Sequence, residues 1–222
     1  MPTILNEVEL RVLGSLVEKQ VTTPEYYPLT LNSLTLACNQ KNNRHPVTSY
    51  DETTVALALE SLREKNLTYV FYGSTSRVPK YKHVMPEIFH LNPPELALMC
   101  ALVLKGPQTV GELRGSASRL FDFSSLEEVE QTLEALINKE PETLVVRLPR
   151  QPGQKEARVA HLLGGEIDVE QLASEIEAPR PASLSKHDAA ERITRLEQQV
   201  ESLNVEVNGL RQQFDQFKQQ FE

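Results

Sequence analysis

Two small, mainly α domains with short β hairpins (an α+β chain), followed by a long C-terminal helix, are what the sequence predicts, and three observations carry the prediction. The first is an internal echo: the Val, Leu, Glu, Leu, Lys spacing of Val55–Lys65 returns at Val129–Lys139. In each copy the apolar residues (Val55, Leu59, Leu62; Val129, Leu133, Leu136) stand at i, i+4 and i+7 and so share one helix face, a core face. The second is that each copy runs into a β-rich pair of segments: Leu67–Tyr72 with Val78–Val84, then Leu144–Leu148 with Ala157–Leu162. The third is an unbroken heptad seam near the C-terminus. Helix, helix, helix, hairpin, given twice, reads as tandem winged-helix domains over 1–84 and 85–165. A linker with a short helix follows over 166–188, and a coiled coil over 189–222.

Asn6 is the expected cap of the first helix, whose apolar residues keep helical spacing from Val8 to Lys19. The prolines of Thr22-Thr-Pro-Glu-Tyr-Tyr-Pro28 exclude a helix interior, so this stretch reads as a packed connection anchored by Tyr26 and Tyr27. Thr30 caps a second helix ending near Cys38, and the polar run Asn39–Pro46 delivers the chain to a third helix capped by Ser49 or Asp51. Gly73-Ser74 marks the turn of the first wing. Residues 85–92 read as a plain link. The second domain repeats the plan: a helix over Glu95–Lys105 closed by Gly106-Pro107, a second over Thr109–Ser118, a third capped by Ser124 or Ser125, and a wing tipped by Pro149–Gly153.

The seam residues Ile193, Leu196, Val200, Leu203, Val207, Leu210, Phe214, Phe217 and Phe221 alternate spacings of 3 and 4. β-Branched residues at a and leucines at d favour a parallel two-stranded coil, so a homodimer is expected. The alternative is a helix that folds back over its own chain.

The 222-residue chain has a net charge of −8, unevenly spread. Basic residues number nine against eight acidic ones in 1–84, eight against eleven in 85–165, and six against twelve in 166–222, so an anion-binding surface belongs to the first domain. Cys38 and Cys100 have no partner at metal or redox spacing and read as core residues. No signal segment or membrane span is apparent, which points to a cytoplasmic protein. Glycine-rich phosphate loops, paired metal ligands and nucleophile elbows are absent, and the five histidines are scattered singly. The expectation is a non-enzymatic protein with no cofactor, no metal and no catalytic residue.

Candidate nucleic-acid contacts lie around the third helix of the first domain. Lys41, Asn42 and Arg44 precede it, Arg77, Lys80 and Lys82 follow on the wing, and Thr53 and Thr54 in its first turn are the candidates for base edges. Asp51, Glu52, Glu60 and Glu64 on the same helix oppose a phosphate backbone. The third helix of the second domain carries four glutamates, which suits a protein partner better. Lysines and arginines on wings and loops also serve plain solubility. A ligand pocket bounded by the prolines between the first two helices is a third reading.

The segment Leu29-Thr-Leu-Asn-Ser-Leu-Thr-Leu-Ala-Cys-Asn-Gln-Lys-Asn-Asn-Arg-His-Pro-Val47, with Tyr50-Asp51-Glu52, resembles the YceH family of bacterial proteins. The likeness runs over roughly residues 4 to 164 and includes Arg77-Val-Pro-Lys-Tyr-Lys-His83 and Leu104-Lys-Gly-Pro-Gln-Thr-Val-Gly-Glu-Leu-Arg114. His45 stands where that motif would carry an acid, which leaves the loop more basic. The resemblance implies a tandem winged-helix fold and brings no established activity and no catalytic residues. The reading is therefore DNA-associated regulation through the first domain, with a protein-protein adaptor as the alternative.

Overall fold

In the computed structural model, which describes residues 4–72, 78–150 and 156–165, the first helix opens on a reciprocal cap. Asn6 Oδ1 accepts the Glu9 N–H at 2.9 Å while the Glu9 carboxylate accepts the Asn6 N–H at 2.7 Å. Helix α1 (Glu7–Thr22) then runs past Lys19 to a short 3₁₀ turn at Pro24–Tyr26 and strand β1 (Leu29–Thr30). Thr30 caps α2 (Leu31–Cys38), Asp51 caps α3 (Glu52–Glu64), and the hairpin is β2 (Thr68–Phe71) with β3 (Lys80–His83). The second half repeats the order: α5 (Pro93–Lys105) under a cap at Asn92, α6 (Val110–Ala117) under Thr109, α7 (Leu126–Ile137) under Ser125, then β4 (Val145–Arg147) and β5 (Val159–His161). Among the described residues this makes a mixed α/β chain of seven helices and two small antiparallel sheets.

Each half is closed by the same ion pair. Lys65, at the end of the first echo, holds buried Glu9 at 2.6 Å, and Lys139, at the end of the second, holds buried Glu95 at 2.7 Å. The repeated lysine thus ties the end of the third helix to the cap of the first. Past Lys65, Asn66 takes a left-handed φ of 58°, and the N–H groups of Asn66 and Leu67 bond back to the carbonyls of Arg63 and Leu62, a Schellman end that turns the chain into the hairpin.

Two elements depart from expectation. Strand β1, only two residues long, joins the first sheet in the order β1-β3-β2, pairing Leu29 with Tyr81 and Thr30 with Lys80. Its counterpart in the second half shrinks to a single bridge between Gln108 and Val159. Residues 85–92 are not a plain link but contain α4 (Met85–Phe89), with Met85 and Phe89 buried. Of the two expected anchors, Tyr27 packs on the core and its hydroxyl accepts the His83 N–H at 2.9 Å, whereas Tyr26 is 72% exposed.

The described residues all lie within one compact unit, 1–169. Helix α1 crosses α5 closely enough that a Cβ on Gly14 would stand 2.8 Å from Leu104 Cδ2. Backbone bonds also join the halves, from His45 N–H to Leu104 O at 2.9 Å and from Leu5 N–H to Leu163 O at 2.8 Å. Cys38 and Cys100 are both buried, and burial pushes their thiols up to about 11 and about 12. No helix among the described residues is long and apolar enough to cross a membrane, and no group of His, Cys, Asp or Glu there is placed to hold a metal ion. Arg77, the 166–188 linker and the coiled-coil seam Ile193, Leu196, Val200, Leu203, Val207, Leu210, Phe214, Phe217 and Phe221 lie outside the described residues.

Candidate nucleic-acid interface

The loop after α2 splits the expected cations. Lys41 and Asn42 are exposed, but Asn43 adopts a left-handed φ of 57°, a conformation asparagine tolerates, and the next residue turns inward. Arg44 is therefore not a surface residue, and its assignment as a phosphate contact is corrected. Its guanidinium is fully buried against Glu18 of α1, with Nη2 donating at 2.5 Å and Nη1 at 2.9 Å, and it also donates to the carbonyls of Ala37 and Asn43. Arg119 of the second half pairs with the same carboxylate. A buried guanidinium needs a carboxylate in bidentate geometry, and Glu18 supplies it. Burial alone would push the Glu18 carboxyl up, but Arg44 and Arg119 outweigh it and hold it below the usual carboxylate range.

In the first turn of α3, Thr53 is exposed, while Thr54 is half-buried and drawn back to the cap. Asp51 accepts the Thr54 N–H at 2.7 Å, and this bond, with one from the threonine hydroxyl, holds the Asp51 carboxyl low. The start of α3 is thus a carboxylate surface with Glu52 beside it, and Asn32 Nδ2 donates to Glu52 at 3.1 Å. Further along, α3 exposes Glu60, Glu64 and Leu57.

Lys80 and Lys82 lie on the hairpin. The register pairs Tyr69 with Lys82 and Phe71 with Lys80, and residues directly opposite in an antiparallel pair share a face. Leu29, Thr68, Tyr81 and His83 take the other face, toward the core. Lys82 Nζ sits 5.3 Å from the centre of the Phe71 ring. Thr30 links the two cation groups, since it pairs with Lys80 and also caps α2, whose far end leads into the loop. An eight-residue helix is about 12 Å long, so Lys41 and Lys80 flank α2 from opposite ends and do not form one patch.

In the second half, among the described residues, three arginines are held within that half. Arg147 bridges Glu130 at 2.5 Å and Glu134 at 2.8 Å on α7, and Arg158 holds Glu112 at 2.9 Å and donates to the Pro107 carbonyl. Arg114 donates to the carbonyls of Phe123 and Ser124. Lys41 and Lys80 have no such ion pair among the described residues.

Sequence reasoning passed over two groups. The Glu18–Arg44–Arg119 cluster joins residues far apart in the chain and has no local signal. The exposed Tyr69 and Phe71 had one, in the alternation of Thr68-Tyr-Val-Phe71 against Lys80-Tyr-Lys-His83, which assigns one member of each pair to each face.

A family model described as a protein of unknown function, DUF480, matches residues 5–154. The chain is 53% identical to a UPF0502 protein of Pelobacter propionicus over 224 residues, covering all of both chains. It is 52% identical to a UPF0502 protein of Opitutus terrae over 90% of this chain and 83% of that one, and 50% identical to a UPF0502 protein of Geotalea daltonii over the whole of both.

Proposed function

The chain belongs to the DUF480 family of proteins of unknown function, and we propose that its N-terminal half is a winged-helix module that binds nucleic acid without catalysing a reaction. One observation carries this reading: the two halves share a plan of caps, helices and hairpin, yet among the described residues the hairpin arginines Arg147 and Arg158 of the second half are held by glutamates while the loop and hairpin lysines of the first half have no ion pair. Arg147 and Arg158 of the second half are committed to glutamates, whereas Lys41, Lys80 and Lys82 have no acidic partner among the described residues. Asn42 and Thr53 add exposed polar contacts. Phosphate binding by such lysines is electrostatic, so the logarithm of the affinity falls linearly with log salt and the slope counts the contacts.

The test is binding to mixed genomic fragments and their denatured strands across a salt series, beside Lys41→Glu/Lys80→Glu/Lys82→Glu. Steep salt dependence in the wild type and loss in the triple variant support the reading. Absence of binding at low salt refutes it.

A protein-protein adaptor is the second reading, favoured by the exposure of Leu36 (65%) on α2 and Leu57 (62%) on α3 beside the carboxylates of α3. Such a surface repels phosphate and suits a basic, apolar partner. In either case the heptad residues of 189–222, which lie outside the described residues, are our candidates for homodimerisation, with a helix folded back over its own chain as the alternative.

A further inference from the structure

Inward-facing positions of the two hairpins match, while outward-facing ones diverge. Leu67 and Leu144 are both buried, the Val84 N–H bonds to Leu67 O as the Leu162 N–H bonds to Leu144 O, and His83 and His161 take equivalent places. The same alignment sets the outward pair Tyr69–Lys82 against Val146–Ala160 and Phe71–Lys80 against Leu148–Arg158. In the second hairpin Ala160 and Leu148 are buried and Arg158 is bound to Glu112, so that face is absorbed into the fold. The first hairpin instead holds Tyr69 at 41% and Phe71 at 39% exposure. The second hairpin closes a domain of the same plan without rings or lysines at these places, so the plan itself does not require them.

We propose that this outer face is a stacking platform for unpaired bases, and that the ligand of the N-terminal half is single-stranded nucleic acid. The inference rests on the nucleic-acid reading above and specifies the form bound. Strands β2 and β3 contain no acidic residue, and the face sets two rings on β2 against two ammonium groups on β3: Tyr69 opposite Lys82, Phe71 opposite Lys80. Rings on alternate residues of one strand lie about 6.8 Å apart, room for a base to stack on the side of Phe71 that Lys82 does not cover, while the lysines meet the phosphates. A duplex keeps its bases stacked on each other and offers these rings nothing, and the major-groove alternative would have to enter through the carboxylates of α3. Charge complementarity and exposed π faces together fit one polymer, a polyanion with flat, unpaired bases.

The chain has no tryptophan, so Phe71→Trp places a single indole on the proposed platform. Titration with a twelve-residue oligothymidylate at low salt is expected to quench this indole, whereas inorganic polyphosphate, which has charge but no bases, binds without quenching. Tyr69→Ala/Phe71→Ala is expected to weaken the oligothymidylate about 10-fold or more and to leave binding of a twelve-pair duplex unchanged. Lys80→Gln/Lys82→Gln weakens both forms and lowers the salt slope. Tight oligothymidylate binding without quenching, or undiminished in the ring-deleted variant, overturns the platform, and duplex binding in the same assay then leaves the broader reading standing. Failure of both nucleic acids to bind removes both proposals together.

Discussion

Replacing Glu18 by methionine removes the one carboxylate that neutralises a guanidinium with no access to water. The Arg44 side chain is 0% exposed and would keep only neutral acceptors, the carbonyls of Ala37 and Asn43 and, at longer range, Ser15 Oγ and Gln40 Oε1. Arg119, at 31% side-chain exposure, can turn its charge into solvent at little cost. An uncompensated buried charge costs about 3–5 kcal/mol, so this is the loss expected for Glu18→Met. Arg44→Met is milder, because Arg119 still serves the carboxylate, and about 1–3 kcal/mol is expected. The double variant Glu18→Met/Arg44→Met leaves no buried charge and fills the space with apolar atoms, so it should lie within about 2 kcal/mol of the wild type. The assay is urea unfolding followed by far-ultraviolet circular dichroism, comparing midpoints at constant m-value. In thermal melts the Glu18→Met loss corresponds to a fall on the order of 6–20 °C for a unit of this size. A Glu18→Met variant within about 1 kcal/mol of the wild type, or a double variant whose loss is the sum of the singles, would refute the closed, buried pair.

Other expectations follow from the same geometry. Burial holds His83 and His161 down to about 4, whereas an unfolded histidine titrates near 6.5. The unfolded chain therefore binds more protons between those values, and stability should fall as pH drops from about 6.5 to about 4. Asparagine at both positions should flatten that slope in urea titrations, and a slope equal to the wild type's would remove the histidines as its source. Below that window the carboxylates take over: Glu9, pushed up by burial but lowered further by Lys65, Ser61 and Asn6, and Glu18 both lie below the usual range. Their contribution is present above the unfolded value and is lost as pH falls through the folded one, so Lys65→Met should shrink the acid limb of the stability curve. Gly14→Val should lower stability by about 1–3 kcal/mol, because the new Cβ meets Leu104 and Val103 at 2.8 and 2.9 Å and both are buried. Gly115→Ala at an exposed position of α6, with nothing within 4 Å, should instead gain about 0.4–1 kcal/mol, and the two melts together check the close approach of α1 and α5. Light scattering of the full chain should give twice 25.1 kDa, returning to one chain mass in Leu203→Asp; a concentration-independent single-chain mass rejects the dimer.

Sequence alone was enough for whatever is decided within a few residues. The caps at Asn6 and Thr30 were legible, and those of α3 and α7 came down to two neighbours each, because a capping side chain bonds to an N–H three positions on; the caps at Asn92 and Thr109 emerged only in the fold. The core faces of α3 and α7 follow from the 3.6-residue period, which also made the repeat visible. Hairpin alternation contained the split between the Tyr69–Lys82 face and the Tyr81–His83 face, although only the register fixed which side meets the core. Charge counts pointed to the first half for anions, but they could not tell Arg44 from Lys41. That difference depends on Glu18, 26 residues away, and on the left-handed turn at Asn43 that aims one cation inward. Strand β1 is too short to have a periodicity and exists because β3 offers it a partner. Which cations remain available to a ligand was likewise decided in three dimensions, where Glu112, Glu130 and Glu134 come within reach of Arg158 and Arg147. A local pattern fixes the conformation of its own backbone, whereas the availability of a charge depends on every element that folds against it.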